Sequence, residues 1–458
     1  MLVSINPYTA TELARFEEHT PSQVESCLTS AVAAQRAWRN TPVTERAELL
    51  TSIARVLRAG CTKYARIIVA EMGKPLAEAE AEVEKCALNC DFYAEHGPLF
   101  LADEIVTSNA TDSRIVFDPL GVVLAIMPWN YPFWQYFRFA APAFVAGNAA
   151  ILKHANNVPQ CAKAIEDIVA EAGAPAGLHH TLLIAPDRVA ALIADDRIAA
   201  LTLTGSTEVG SIVAAHAGKA LKKQVLELGG SDPFIVLADA DVDAAAAVAV
   251  KARFINVGQS CVNAKRFIVE DSIADRFVSV FCEHVAKLKV GDPMAAETNI
   301  GPMARANLRD TLHDQVQRSV AAGATLKSGG AFVPGVGFVY APTVLDHVTP
   351  QMAAFREETF GPVAAIIRVK SAEEAIARAN QTEFGLGAAI WTRDLAQAAI
   401  YARQIDAGAV FINGMVASDP RLPFGGIKRS GYGRELGIHG IREFVNIKTI
   451  WTGPAKPN

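Results

Sequence analysis

From residue 120 onward the chain alternates short apolar runs of strand length with helical patterns, and that alternation constrains the fold more than any other feature. GVVLAIM (121–127), AAILK (149–153), HTLLIA (180–185), AALTLTG (199–205) and QVLEL (224–228) read as strands. Helical stretches near 133–146, 159–171, 187–194 and 207–217 separate them. Repeated βαβ units bury both faces of a sheet, so the spacing predicts a parallel, doubly wound α/β sheet. A second such unit follows Gly230, with strands at 234–237, 266–270, 363–369, 386–392 and 409–413 and helices at 241–255, 272–288, 304–322, 372–380 and 394–403. Ligands of doubly wound sheets bind at the carboxyl ends of strands. Asn130, Lys153, Gly205 and Glu227 all fall at such ends.

Residues 22–100 have apolar positions three and four apart and read as helices, with Ser22 and Thr44 as caps and Gly60, Gly73 and Gly97 as stops. Residues 103–118 read as a hairpin around a polar turn, and 443–451 as a lone strand that joins it or another subunit. The uncharged run 119–137 is long enough to raise a membrane span, but Pro128 and Pro132 would break a helix in lipid, so a buried strand and turn is expected. A net charge of -5 without a basic stripe argues against nucleic acid as a partner. Seven scattered cysteines argue against a disulfide framework and for a reducing, cytoplasmic setting, and no secretory signal is recognisable in the first residues. Cys86 and Cys90 lie one helical turn apart, but no further ligand completes a metal set, so packing is expected.

Two residues stand out for chemistry. Cys261 ends a Gly-Gln-Ser turn, and Glu227 ends a strand that stops at two glycines. A thiol of ordinary pKa ~8.5 needs a base or a positive field to act as a nucleophile. A partly buried carboxylate, its pKa raised, suits general-base work. The GSTEVG stretch at 205–210 joins a strand to a helix, where backbone amides could face a phosphate, although a plain helix cap explains it equally well.

The motifs PWNYP (128–132), LKHA (152–155), TGSTEVG (204–210), ELGG (227–230), GQSC (258–261), EETFGPV (357–363) and PFGG (423–426) occur in one chain, in order. In order and spacing the sequence resembles the aldehyde dehydrogenase superfamily over almost its whole length, and is most similar to bacterial succinate-semialdehyde dehydrogenases. The resemblance implies two doubly wound domains plus a small β oligomerisation domain. Residues 1–100 and 119–229 would bind cofactor, 230–428 would carry catalysis, and strands in 101–118 and 441–455 would build a homodimer or homotetramer. It implies Cys261 as nucleophile, Asn130 and the Cys261 N–H as oxyanion donors, and Glu227 as the base that activates water. For the cofactor it implies Lys153, Gly205, Ser206, Leu228 and Glu358, with Trp129 and Phe360 lining the cleft.

Asn156 stands three residues after the lysine, where NAD-preferring relatives carry a glutamate that repels a 2′-phosphate. The resemblance therefore predicts that NADP is accepted and preferred over NAD. For substrate it implies Arg138, the only charge between Asp118 and Lys153, with Ser418 as a second contact to a distal carboxylate, Ser260 beside the thiol, and Trp134 and Phe424 as tunnel walls. The second arginine of some relatives is replaced by Ile255, and Asn263 stands where others carry a second, redox-active cysteine. The expected reaction is oxidation of succinate semialdehyde to succinate. Glutarate semialdehyde, aliphatic aldehydes and a non-catalytic binding protein are the alternatives. A cysteine hydrolase is disfavoured because no histidine stands in a nucleophile-and-base motif.

Overall fold

The structure is a computed structural model and describes residues 1–335 and 337–453. Two doubly wound sheets dominate it. The first has six strands in the spatial order Gly431–Tyr432, Lys223–Glu227, Ile198–Thr204, Val122–Met127, Ala149–His154, His179–Thr181, all parallel except the two-residue edge strand Gly431–Tyr432. Its chain order reverses between Val122–Met127 and Ile198–Thr204, which makes their carboxyl ends the switch point where ligands of such sheets bind. The second has seven strands, Thr325–Ser328, Thr343–Asp346, Val363–Val369, Ala264–Glu270, Asp232–Val236, Gly387–Trp391 and Ala409–Ile412, antiparallel only at the first pair. Each sheet is wrapped by helices around its own apolar core, as the fully apolar strands require.

The expected hairpin and final strand meet. Val445–Thr452 pairs antiparallel with Asp112–Pro119, which pairs in turn with Glu104–Ile105, forming a three-stranded sheet apart from the two domains. Residues 454 and 455 of the expected oligomerisation segment lie outside the described residues.

Local expectations were corrected where proline and packing decide. The first helix, Pro21–Trp38, is capped by Thr20 rather than Ser22. Thr20 Oγ1 accepts the Gln23 N–H while the Gln23 side chain accepts the Thr20 N–H, and Pro21 with its preset φ opens the helix a residue early. Thr44 likewise lies inside Val43–Ala59, which follows Pro42 without a side-chain cap. Gly97 does not stop Leu76–Phe100; it lets the helix approach Val145, 3.0 Å from where a Cβ would sit. The strand expected at 180–185 ends at Thr181, because the backbone of Leu183 pairs with His19. The strands Leu2–Ile5, Glu12–Phe16, Thr325–Ser328 and Thr343–Asp346 were not foreseen. No helix among the described residues is long and apolar enough to cross a membrane, and Cys86 and Cys90 are buried in packing as expected.

Candidate active site

The Cys261 loop is wound against its preference. Asn256, Val257 and Gly258 all have positive φ, at 57°, 57° and 68°. A β-branched residue there is strained, so surrounding contacts must hold it. Four do. The Glu78 carboxylate accepts the Asn256 N–H at 2.7 Å, and the Asn256 side chain donates to the carbonyls of Asn130 (3.0 Å) and Gln259 (2.9 Å). Arg253, wholly buried, donates to the carbonyls of Gly258, Thr359, Gly361 and Ala264. Its guanidinium is thus spent on backbone carbonyls. It ties the loop to the starts of Ala264–Glu270 and Val363–Val369, which are neighbours in the second sheet.

The sequence-predicted trio comes together on this loop. The Asn130 amide donates to the Gln259 carbonyl at 3.1 Å, two residues before Cys261. Gly230 of the ELGG turn lies so close that an added Cβ would stand 2.5 Å from the Cys261 carbonyl oxygen. Residue 230 tolerates only glycine because the Cys261 backbone fills the space. Cys261 itself is half-buried and lines a cavity of about 200 Å³. Burial pushes its thiol up to about 12, Lys265 and Arg138 pull it down, and Glu227 and Glu358 push it further up. Lys265 donates to the carbonyls of Ser260 (2.9 Å) and Cys261 (2.8 Å) and pairs with Glu358 at 3.5 Å.

Glu227 is buried at the end of its strand rather than solvated. Burial raises its pKa well above the usual carboxylate range; Glu435 adds to the rise, while Arg138 and Arg434 oppose it. Glu435 is buried too, is likewise raised by burial, and is ion-paired with Arg138. The sequence reading treated Arg138 as an isolated charge awaiting a ligand. Instead, its guanidinium is already neutralised by Glu435, donates to Thr204 Oγ1 at 3.2 Å, and lies 4.8 Å from the Phe424 ring centre. Among the described residues Arg138 is ion-paired with Glu435 alone, while both Glu227 carboxylate oxygens are buried without a hydrogen-bond partner, and a carboxylate raised in this way suits general-base work near neutrality.

Arg138, Trp134, Ser260, Ser418 and Phe424 all line the Cys261 cavity, as does Ile255. A cation that the sequence reading missed joins them: Lys85, whose Nζ donates to Ser418 Oγ at 2.6 Å and stands 4.3 Å from the Trp134 ring centre. It lies on Leu76–Phe100 in the run AEAEAEVEK, which carries no signal beyond that of a charged helix face. Only the packing of that helix against Trp134–Val145 turns Lys85 inward. Glu435 was missed for a similar reason, being one charge in the mixed run RELG.

A second cavity, about 970 Å³, opens at the switch point of the first sheet. Trp129, Lys153, Asn156, Gly205 and Ser206 line it. Ser206 caps the helix Thr207–Lys219, its Oγ accepting the Val209 N–H at 3.3 Å, so the helix begins at the cavity wall. Lys153 donates to Asn156 Oδ1 at 2.8 Å, which leaves the Asn156 amide hydrogens free for a ligand. Phe360 packs edge-on against Trp129 at 5.8 Å, Glu358 accepts the Gly230 N–H at 3.0 Å, and Leu228 is buried against Gly210; these three do not line the cavity. The cavity has the size, the helix N-terminus and the donors that a dinucleotide needs.

Two doubly wound sheets that meet at a half-buried thiol, with a nucleotide-sized cleft beside it, define a class: two-domain α/β enzymes working through a cysteine nucleophile. Residues 1–450 match the family model described as "Aldehyde dehydrogenase family", and the chain belongs to that family. It is 50% identical over 449 residues to the succinate semialdehyde dehydrogenase (NAD(P)+) Sad of Escherichia coli, covering 98% of this chain and 97% of that one. A probable succinate-semialdehyde dehydrogenase (NADP(+)) of Synechocystis is also 50% identical, over 98% of this chain and 99% of its own length. Among solved structures, the succinic semialdehyde dehydrogenase of Streptococcus pyogenes, in complex with NADP+ as the cofactor, superposes with a TM-score of 0.97 at 39% identity, covering 99% of this chain and 100% of that one.

Proposed function

We propose that this aldehyde dehydrogenase oxidises succinate semialdehyde to succinate with NADP, and that Cys261, Glu227 and Asn130 do the chemistry. The observation that carries the reading is the small thiol-bearing cavity, whose lining includes the basic side chain of Lys85 bonded to the Ser418 hydroxyl. A cavity of about 200 Å³ suits a short chain, and the Lys85 ammonium with the Ser418 hydroxyl in its wall suits an acid group at its end. The names of the relatives above support the same substrate.

Cys261 loses its proton and attacks the aldehyde carbon, giving a thiohemiacetal. The Asn130 amide and the Cys261 N–H stabilise the oxyanion. A nicotinamide held in the adjoining cleft would supply the acceptor for the hydride that leaves this carbon, and a thioester on Cys261 remains. Glu227 then takes a proton from water, which attacks the thioester, expels the thiolate and releases the carboxylic acid. Lys153, Asn156, Gly205 and Ser206 would hold the adenosine and pyrophosphate, and the uncharged Asn156 leaves room for a 2′-phosphate.

The protein works in the cytoplasm as a homodimer or homotetramer. The seven cysteines without disulfide partners support the first. The second rests on the strand Val445–Thr452, an eight-residue edge of the three-stranded sheet with Ile447, Ile450 and Trp451 exposed. The test is a panel of carboxylated and neutral aldehydes with each nicotinamide cofactor. Succinate semialdehyde with NADP should give a kcat/KM at least about tenfold above butanal with NADP and above succinate semialdehyde with NAD. Butanal equal to the semialdehyde defeats the substrate reading, and NAD tenfold better than NADP defeats the cofactor reading.

A further inference from the structure

We propose that Lys85, acting with Ser418, is the residue that selects for a distal carboxylate on the aldehyde. This rests on the reading of the cavity as a site for a short semialdehyde and names the group that supplies the discriminating charge.

Of the charges lining the cavity, Glu78 is engaged by the Asn256 N–H at 2.7 Å, and the others decide between Lys85 and Arg138. Arg138 is buried and ion-paired with Glu435, so the pair offers an incoming anion little net attraction. Glu82 is also spent: it is ion-paired with Lys74, and its Oε1 accepts the N–H groups of Phe133 (2.9 Å) and Trp134 (3.0 Å). Lys85 differs. No carboxylate oxygen among the described residues lies within 4.0 Å of its ammonium, whose one polar side-chain contact is the Ser418 hydroxyl.

The geometry suits an anion. The ammonium rests 4.3 Å from the Trp134 ring centre, which fixes its stem and leaves donors for a ligand. Ser418 accepts one hydrogen from Lys85, so its own O–H is free to turn to a carboxylate bound beside it. Ile255 stands in the same wall where a second arginine would be needed to do this work alone, and its apolar surface fits a methylene chain. Burial, with Arg138 next, pulls the Lys85 ammonium down to about 8, while Cys86, Glu82 and Asp419 pull it up. An ammonium held at that cost gains most from an arriving carboxylate.

The experiment compares Lys85→Met, which keeps an unbranched stem on Trp134, Lys85→Gln as a second neutral variant, and Lys85→Arg. Each is assayed with succinate semialdehyde and with butanal. Thermal unfolding and NADP affinity serve as controls for folding. The neutral variants should raise KM for succinate semialdehyde about 10- to 100-fold, with kcat within about threefold, while KM for butanal moves by no more than about threefold. Lys85→Arg should recover most of the loss. If both folded neutral variants lose activity equally on both aldehydes, or keep the wild-type KM for the semialdehyde, Lys85 is not the selector and Arg138 takes the role. Should the wild-type enzyme itself fail to prefer the semialdehyde over butanal, the substrate reading falls and this inference falls with it; a wild-type preference that survives in Lys85→Met overturns this inference alone.

Discussion

The two sheets present opposite ends to the site. From the first come residues at carboxyl ends: Asn130 after Val122–Met127, Lys153 in Ala149–His154, Gly205 and Ser206 after Ile198–Thr204, and Glu227 closing Lys223–Glu227. From the second come residues at amino ends: Gly230 before Asp232–Val236, Cys261 before Ala264–Glu270, and Glu358 and Phe360 before Val363–Val369. The difference is electrostatic. At the first sheet a helix begins, at Thr207, and its partly positive end suits a pyrophosphate. At the second, the helix Val242–Phe254 ends in the loop that leads to Cys261, and its partly negative end opposes a thiolate. One sheet is therefore set to hold an anion. The other keeps its nucleophile protonated, with Lys265 as the nearest buried cation to favour ionisation.

Separating the two ends by mutation should give the largest effect. Cys261→Ala should lower kcat/KM at least about 10³-fold, because no other group near the cavity can form the thioester, while NADP affinity measured by fluorescence titration stays within about twofold. A parallel loss of NADP affinity would break the comparison, since the thiol loop would then be part of the dinucleotide site.

Next in size is Glu227→Gln, expected to cut steady-state turnover about 10²- to 10⁴-fold by removing the base that activates water. The reduced cofactor should still appear in a burst of about one equivalent per active site, because formation of the thioester does not need that water. Loss of the burst would move Glu227 from hydrolysis to the earlier half of the reaction.

Most of the first sheet was legible from sequence because its strand-end residues carry local signals. An apolar run that stops at Asn130, Lys153 or Glu227 announces a polar group where a strand ends. The second sheet's strands were equally plain, but its contribution to the site carried a local signal only at Cys261, through the turn before it; Glu358 and Phe360 came from the resemblance alone. The charges that tune the thiol and the cavity were not legible. Lys85 sits in a run of alternating Ala and Glu, Lys265 precedes an apolar strand, and Glu435 lies in a loop distant in sequence; each becomes functional only when packing turns it inward. Arg138 shows the converse. Its isolation in sequence was real, but a partner almost three hundred residues away in the chain removes it in space.

A smaller effect is expected at the carboxyl end that holds the cofactor. Lys153→Ala should raise KM for NADP about tenfold, the scale of one charge-assisted hydrogen bond, with kcat nearly unchanged. Alkylation of Cys261 by iodoacetamide in the absence of cofactor should proceed at the wild-type rate. A change in that rate would mean that the two ends communicate without a ligand.

The last and smallest effect concerns the charge that crosses between the sheets. Burial raises both Cys261 and Glu227, and each must lose its proton to act, so activity should be low in acid and rise through neutrality into the alkaline range, by less than about tenfold per pH unit. Ionised Glu227 has a second consequence, because its negative charge pushes the thiol pKa up. At pH 9, where Glu227 is mostly ionised in the wild type, Glu227→Gln should therefore speed iodoacetamide alkylation of Cys261 a few-fold, although it slows turnover. At pH 6 both proteins carry a neutral side chain there, and the two alkylation rates should converge. Slower alkylation in the variant at pH 9 would instead make Glu227 the proton acceptor for the thiol, and the carboxyl end of the first sheet would then take part in creating the nucleophile as well as in releasing the product.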